Sequence, residues 1–350
     1  MMRIGVIGCG YWGINYVRVF SEIPDSAVTR VCDPRGDRLH YVKQRYPLIN
    51  THTTVDDLVN DDMLDAVVVC TPATTHHELV RRCLLAGKHV LSEKPLTTTV
   101  DDAEDLIQLS RSVGKLLMVG HTFLYNSGIR KLKELMTQES FGVLYYLRAI
   151  RTNLGPIRQD VDVVWDLAPH DVSIFNYLLD AQPTRVSAVG SRLLGNCRRD
   201  VAFITLTYPG GVIGSIHVSW ADPNKVREVV VVGSSKRIVF DDVDNLEHIR
   251  VFEKGVAPAK QEADSFGEYR LLIRDGDIVS PRIEPSEPLK NEGMHFLACI
   301  RDGLTPLSSA VQGRDVVQVI TAIERSLEQD GQPVEIGEPV GAAMGAVRVG

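Results

Sequence analysis

Three short segments of this chain combine residue types and spacings able to do chemistry. The first is Gly8-Cys9-Gly10-Tyr11-Trp12-Gly13. Gly8 allows a tight turn, Gly10 lets backbone approach a bound pyrophosphate, and Gly13 lets a helix pack closely on the preceding strand. The second is Glu93-Lys94-Pro95-Leu96. Lys94 precedes a proline, which biases it toward extended backbone at a strand end. A buried amine there can hydrogen-bond a hydroxyl and stabilise an alkoxide as hydride leaves. A surface lysine in a loop is the other reading. The third, Trp165-Asp166-Leu167-Ala168-Pro169-His170-Asp171, sets a carboxylate four residues before an imidazole.

The glycine spacing means little without its surroundings. Here Arg3–Ile7 reads as a buried parallel strand, and Ile14, Val17 and Phe20 mark one face of a helix. Strand, turn and helix follow in the order that offers free helix N–H groups to an anion. A second apolar run, 27–32, ends in Asp33, twenty residues after Gly13. A carboxylate there accepts from a ribose 2′-OH and repels a 2′-phosphate, so the expected cofactor is NAD. Arg35 and Arg38 lie close enough to soften that preference. Tyr11, Trp12, Arg38, Thr71, Pro72, His76, Glu93, Lys94 and His121 complete the candidate cofactor contacts. An ordinary strand–helix turn with a surface Asp is the alternative.

In the third segment Pro169 predicts a helix beginning just before it, because proline suits a first turn. Asp166 and His170 then face one side. The positive helix end favours neutral imidazole, the form a base needs, and Asp166 can orient it. Equally, Asp166 caps the helix and His170 packs beneath it.

The elements that must position these groups fall into two patterns. Strand candidates at 66–70, 89–92 and 116–119 alternate with amphipathic stretches at 35–46, 76–86 and 101–113. That alternation predicts a doubly wound parallel sheet over 1–122, with Thr71-Pro72, Glu93-Lys94-Pro95 and Gly120-His121 at carboxyl ends of strands. After a helix around 127–138 come β-rich runs at 143–152, 184–194, 200–208, 211–220, 226–233 and 236–241. A helix at 167–179 interrupts them. Residues 253–288 read as loops or edge strands, and 292–300 and 313–327 as helices. The expected fold class is α/β: an N-terminal Rossmann domain (1–122), then an α+β domain (123–350) with a large open, mostly antiparallel sheet.

Size and charge agree. A chain of 350 residues exceeds one ordinary core. A net charge of −7 argues against non-specific nucleic-acid binding. Six scattered cysteines without a C-x-x-C pair point to a reducing compartment and to no metal site. No segment reaches membrane-spanning length and the N-terminus enters a strand at once, so the expected location is cytoplasmic.

With these segments in hand, the sequence resembles the Gfo/Idh/MocA family of NAD(P)-dependent sugar oxidoreductases over essentially its whole length. The resemblance rests on Gly8-x-Gly10-x-x-Gly13, Glu93-Lys94-Pro95 and Asp166-x-x-x-His170. It implies Lys94 as polariser, Asp166 as orienting carboxylate and His170 as general base. It also implies a Rossmann domain plus an open-sheet domain, assembled as homodimers or homotetramers through that sheet. Residues 10–13, 120–126, 153–158 and 164–171 look like a branch that includes UDP-sugar 3-dehydrogenases, which supply a partner aminotransferase. Ile14 departs from it, standing where many relatives carry proline.

The implied substrate is a sugar or nucleotide sugar, oxidised at C3 of a UDP-hexose or UDP-N-acetylhexosamine. Arg148, Arg151, Arg158, Lys225 and Arg227 could meet a diphosphate or could form a solvated face. Tyr125, Asn153 and Trp165 join Lys94, Arg151, Arg158 and His170 as candidate substrate contacts. Trp165 stacks on a ring or fills core; His295 is read as structural. The rival readings are a dehydrogenase of a free sugar, inositol or sugar phosphate, and a non-catalytic NAD-binding regulator.

Overall fold

Short valine-rich runs between glycine turns build the first half of the molecule. The structure is a computed structural model describing residues 1–155, 157–158, 161–195, 197–258 and 271–337. It divides into two compact units, Met1–Asn126 with Ser286–Gln318, and Ser127–Pro285 with Val319–Gly350.

The first unit runs β1 (Met2–Ile7), α1 (Tyr11–Glu22), β2 (Ser26–Cys32), α2 (Gly36–Arg45), β3 (Asn50–His52), α3 (Asp56–Val59), β4 (Ala66–Val69), α4 (His76–Leu85), β5 (His89–Glu93), α5 (Val100–Ser112) and β6 (Leu117–Gly120). The six strands are parallel in the order β3-β2-β1-β4-β5-β6. That is the classical dinucleotide-binding order. Every residue of β4 is fully buried, as expected for a strand covered on both faces. The register sets Ile7 beside Val69, Val69 beside Ser92 and Glu93 beside Gly120, so the carboxyl ends form one edge.

Helix α8 (Pro288–Asp302) also belongs to this unit. It packs on α1 and on a short 3-10 turn, Thr122–Tyr125. A Cβ at Gly293 would lie 3.2 Å from Ile23 and 3.3 Å from Val19, so a larger residue would hold α1 and α8 apart. This differs from the division at 122 expected from sequence. Leu289, Glu292, Phe296 and Cys299 form a buried stripe, and α1 is its partner.

The second unit holds α6 (Ser127–Met136), β7 (Leu144–Thr152), α7 (Val163–Leu179), β8 (Arg185–Ser191), β9 (Val201–Thr207), β10 (Ile213–Ser219), β11 (Val226–Gly233), β12 (Arg237–Asp241), β13 (Ile249–Phe252), β14 (Gly255–Pro258), β15 (Leu271–Arg274), β16 (Ile278–Val279) and β17 (Val334–Glu335). Helix α9 (Ala310–Glu328) contributes its first nine residues to the first unit and the rest to the second. Nine strands pair as β16-β13-β12-β11-β7-β10-β9-β8-β17, all antiparallel except β7 with β10. In β7, Leu147, Ala149 and Arg151 point toward α7 while Tyr146, Arg148 and Ile150 face outward. Within 253–288, β14 and β15 pair as a separate two-stranded sheet and β16 is an edge strand of the large one; 259–270 and the final residues from 338 lie outside the described residues.

Candidate active site

Three glycines shape the turn after β1. Gly8 has φ +90°, and a Cβ there would stand 2.6 Å from Cys70 O. A Cβ at Gly13 would meet Gly8 O at 1.8 Å, so α1 lies directly against the turn. A Cβ at Gly10 would meet nothing within 4 Å. Gly10 is the N-cap of α1 without a side-chain cap, leaving the first N–H groups of the helix for an anion. Asp33 follows β2, 5% exposed, its Oδ2 accepting from Cys9 N at 2.7 Å and its Oδ1 from Arg35 N at 2.9 Å. The carboxylate is thus fixed beside the turn. Arg35 and Arg38 remain exposed, and Tyr11 and Trp12 meet edge to face at the surface. This cradle fits a dinucleotide.

At the next strand ends, Lys94 is half-buried and its peptide to Pro95 is cis. Lys94 N donates to Glu93 Oε2 at 3.1 Å. Burial pushes the Glu93 carboxyl up, opposed by the Lys94 charge and the Tyr16 hydroxyl. His121, one residue past β6, is 1% exposed, and neither ring nitrogen has a partner among the described residues. Burial, then the Lys94 charge, hold it neutral, down to about 3. A buried polar group ordinarily has a hydrogen-bond partner, which makes His121 a candidate ligand contact.

His76, expected as a cofactor contact, lies between two backbone carbonyls. Its Nδ1 lies 2.8 Å from Pro95 O and its Nε2 2.9 Å from Thr71 O. It ties the half-exposed loop after β4, Thr71 and Pro72, to the Lys94 segment. Tyr125, expected at the substrate, is fully buried, with Oη 3.0 Å from Ser308 and its ring against His295. It is core of the first unit.

In the second unit the third segment begins earlier than expected. Asp162 Oδ1 accepts from Val164 N at 3.0 Å and Trp165 N at 3.1 Å, so α7 starts at Val163 and Asp162 is its cap. Pro169 lies inside the helix rather than in its first turn. Asp162 satisfies two N–H groups at the start, and the buried face of Val163, Val164, Ala168, Val172 and Phe175 carries the helix through Pro169 despite the bond that proline lacks. His170 is therefore in the third turn, beyond the reach of the helix-end dipole, and the cap of the helix is Asp162 rather than Asp166. The two remain one turn apart on α7, both half-buried.

Asp166 is gripped by Arg158 Nη1 at 3.1 Å and Trp220 Nε1 at 3.3 Å. Arg151, expected at the substrate, is 5% exposed and forks onto Asp171, at 2.9 and 2.7 Å. That pair braces β7 against α7. Arg148 meets Glu228 at 2.7 Å and Arg227 meets Asp242 at 3.3 Å. Each of these four arginines faces a carboxylate. Asn153 N donates to Ser219 O at 3.0 Å beside them, and Trp165 is half-buried. Pro156 lies outside the described residues.

Sequence reasoning missed Glu292, Tyr16 and the Asp162 cap. Tyr16 Oη lies 3.0 Å from Glu292 Oε2, and Thr122 Oγ1 donates to the same oxygen at 3.1 Å. The signal was present: a glutamate on the apolar stripe of α8.

Comparison with known proteins agrees with this geometry. Residues 2–121 match the oxidoreductase family with an NAD-binding Rossmann fold, and residues 129–239 match the Gfo/Idh/MocA C-terminal domain. The chain belongs to the Gfo/Idh/MocA oxidoreductase family and is an NAD-binding enzyme of it. Myo-inositol 2-dehydrogenase of Thermotoga maritima is 28% identical over 97% of this chain and 100% of its own length. UDP-N-acetylglucosamine 3-dehydrogenase of Acidithiobacillus ferrooxidans is 29% identical over 91% of this chain and 97% of its own. The solved structure of the latter superposes with a TM-score of 0.79 at 25% identity, covering 95% of this chain and 99% of that one. Among the described residues no helix is long and apolar enough to cross a membrane, and no metal-ligand cluster occurs.

Proposed function

We propose that this protein oxidises a secondary alcohol on a sugar ring, with C3 of a UDP-hexose or UDP-N-acetylhexosamine as the leading substrate. The observation that carries the reading is the half-buried Lys94 beside neutral, open His121, on the strand edge that also bears the glycine cradle. NAD, when bound there, supplies the hydride acceptor. Lys94 stabilises negative charge on the reacting oxygen. His170 takes the hydroxyl proton, and Asp166, held by Arg158 and Trp220, steadies the imidazolium that results. The 3-keto product suits a partner aminotransferase.

A free sugar or inositol is the second reading, and the pairing of Arg148, Arg151, Arg158 and Arg227 with carboxylates favours it. Protection of the protein from thermal unfolding by UDP alone separates the two; no protection selects the second. A homodimer or homotetramer is proposed through the outward sheet face, where Phe203 and Val189 are 52% and 53% exposed.

The direct test is incubation with NAD⁺ and panels of UDP-sugars and inositols, reading reduced nicotinamide and the mass of a keto product. Lys94→Ala should lower kcat by roughly 10³-fold with NAD binding intact by calorimetry. Full activity in that variant removes Lys94 from the mechanism.

A further inference from the structure

Glu292 is 0% exposed on α8, within the stripe of Leu289, Phe296 and Leu297 on the helix that packs against α1. An apolar residue would fill that stripe without the cost of burying a carboxyl group. The carboxyl instead joins two elements. Its Oε2 accepts from Tyr16 Oη on α1 at 3.0 Å and from Thr122 Oγ1, just past β6, at 3.1 Å. The neighbouring Asn291 Nδ2 donates to Tyr125 O at 3.0 Å, at the far end of the same 3-10 turn. Helix α8 therefore holds that turn at both ends.

Thr122 directly follows His121, whose buried imidazole has no partner on either nitrogen among the described residues. Leu124 N donates to His121 O at 3.0 Å, so the histidine's backbone belongs to the turn that α8 fixes. The other end of the same bridge is α1, the helix that opens on the Gly10 cap. Strand order assigns the two ends to different halves of a dinucleotide. Strands β1 to β3, with the glycine turn and Asp33, take the adenosine side, and β4 to β6 lie across the switch point on the nicotinamide side. His121 follows β6 and so stands on the nicotinamide side.

We propose that Glu292 is a positioning residue for the nicotinamide half of the cofactor: by tying Thr122 to Tyr16 it sets the His121 imidazole relative to the helix that receives the pyrophosphate. The inference rests on His121 being a cofactor contact in the proposed active site. It requires no particular charge on the carboxyl, since both hydroxyls donate to one of its oxygens. The adenosine half is held by the glycine turn and Asp33 and does not depend on this bridge.

The test is calorimetric affinity of the full-length protein for NAD⁺ and for ADP-ribose, which lacks the nicotinamide. Glu292→Leu should weaken NAD⁺ binding about tenfold, the worth of one hydrogen bond, and leave ADP-ribose within about twofold. Glu292→Gln, whose amide oxygen can accept both bonds, should recover most of the loss. Thr122→Val removes one hydroxyl at nearly constant shape. It should shift NAD⁺ in the same direction and add little in the double variant with Glu292→Leu. Equal weakening of both ligands by Glu292→Leu would make the residue a general brace of its unit and overturns the proposal. An unchanged NAD⁺ affinity in Glu292→Leu, while His121→Ala weakens it, also overturns it. An unchanged affinity in His121→Ala instead removes His121 from the cofactor site, and the proposal with it. Should Glu292→Leu fail to fold, Thr122→Val decides, and wild-type NAD⁺ affinity there overturns the proposal.

Discussion

In the first unit, site groups sit where parallel strands buried on both faces run out. In the second they sit on a helix laid over a sheet that buries one face. At the strand ends, position is set by register: Glu93 lies beside Gly120 because β5 and β6 pair, and the turn at Gly8 lies beside Cys70 because β1 and β4 pair. On α7, position is set by side chains, namely the Asp162 cap and the Arg151–Asp171 fork. Backbone-set geometry tolerates no added atom at its tight points. Side-chain-set geometry depends on charge pairs remaining whole.

The largest effect that would sharpen this contrast is at Gly13. Alanine there brings a Cβ within 1.8 Å of a backbone oxygen, and neither partner is a flexible side chain. Gly13→Ala should lose about 3 kcal/mol of stability in chemical denaturation and abolish NAD binding. Gly10→Ala, at φ −68° with open space around it, should unfold like the wild type and lose NAD binding alone. Equal destabilisation by the two would mean the turn is not backbone-limited.

The same contrast explains what was legible in the sequence. Glycine spacing, Asp33 and the strand–helix alternation are local signals, and the parallel sheet follows from them with shifts of a residue or two. The short β3 and α3 carry too few residues to show a period. The return of α8 to the first unit was not readable, because nothing local says which core an amphipathic stripe joins. Tyr125 follows His121 by four residues, yet one side chain is core and the other keeps both ring nitrogens without a partner among the described residues. The start of α7 was misjudged because Pro169 is a stronger sequence signal than an aspartate, while the aspartate makes two hydrogen bonds.

Breaking the side-chain-set half should come next in size. Arg151→Met leaves Asp171, 1% exposed, as a buried charge without its guanidinium. The expected loss is about 3–5 kcal/mol, confined to the second unit, with NAD affinity preserved. Arg151→Met together with Asp171→Leu should recover most of it, since a well-packed apolar pair replaces a buried ion pair at little cost. A double variant as unstable as the single one would show that the fork has a role beyond bracing.

The smallest effect is a pH dependence wired to the cap of α7. Burial, then the nearby Asp162 charge, raises Glu324 on α9 from its ordinary 4.5 to about 7, against the pull of Arg199. Its folded-state pKa lies above its unfolded value, so its neutral form is favoured by folding. That contribution is full below about pH 4.5, falls as pH rises through about 7, and is gone above it. Glu324 is partly exposed, so solvent screening reduces the effect to about 1 kcal/mol. Glu324→Gln should therefore match the wild type in thermal melts near pH 5 and exceed it near pH 8, and a constant offset between the two at both pH values would place the titration elsewhere. Because Asp162 holds the first N–H groups of α7, the same variant should flatten any pH dependence of kcat in this window without moving the affinity for NAD, which the backbone-set unit alone determines.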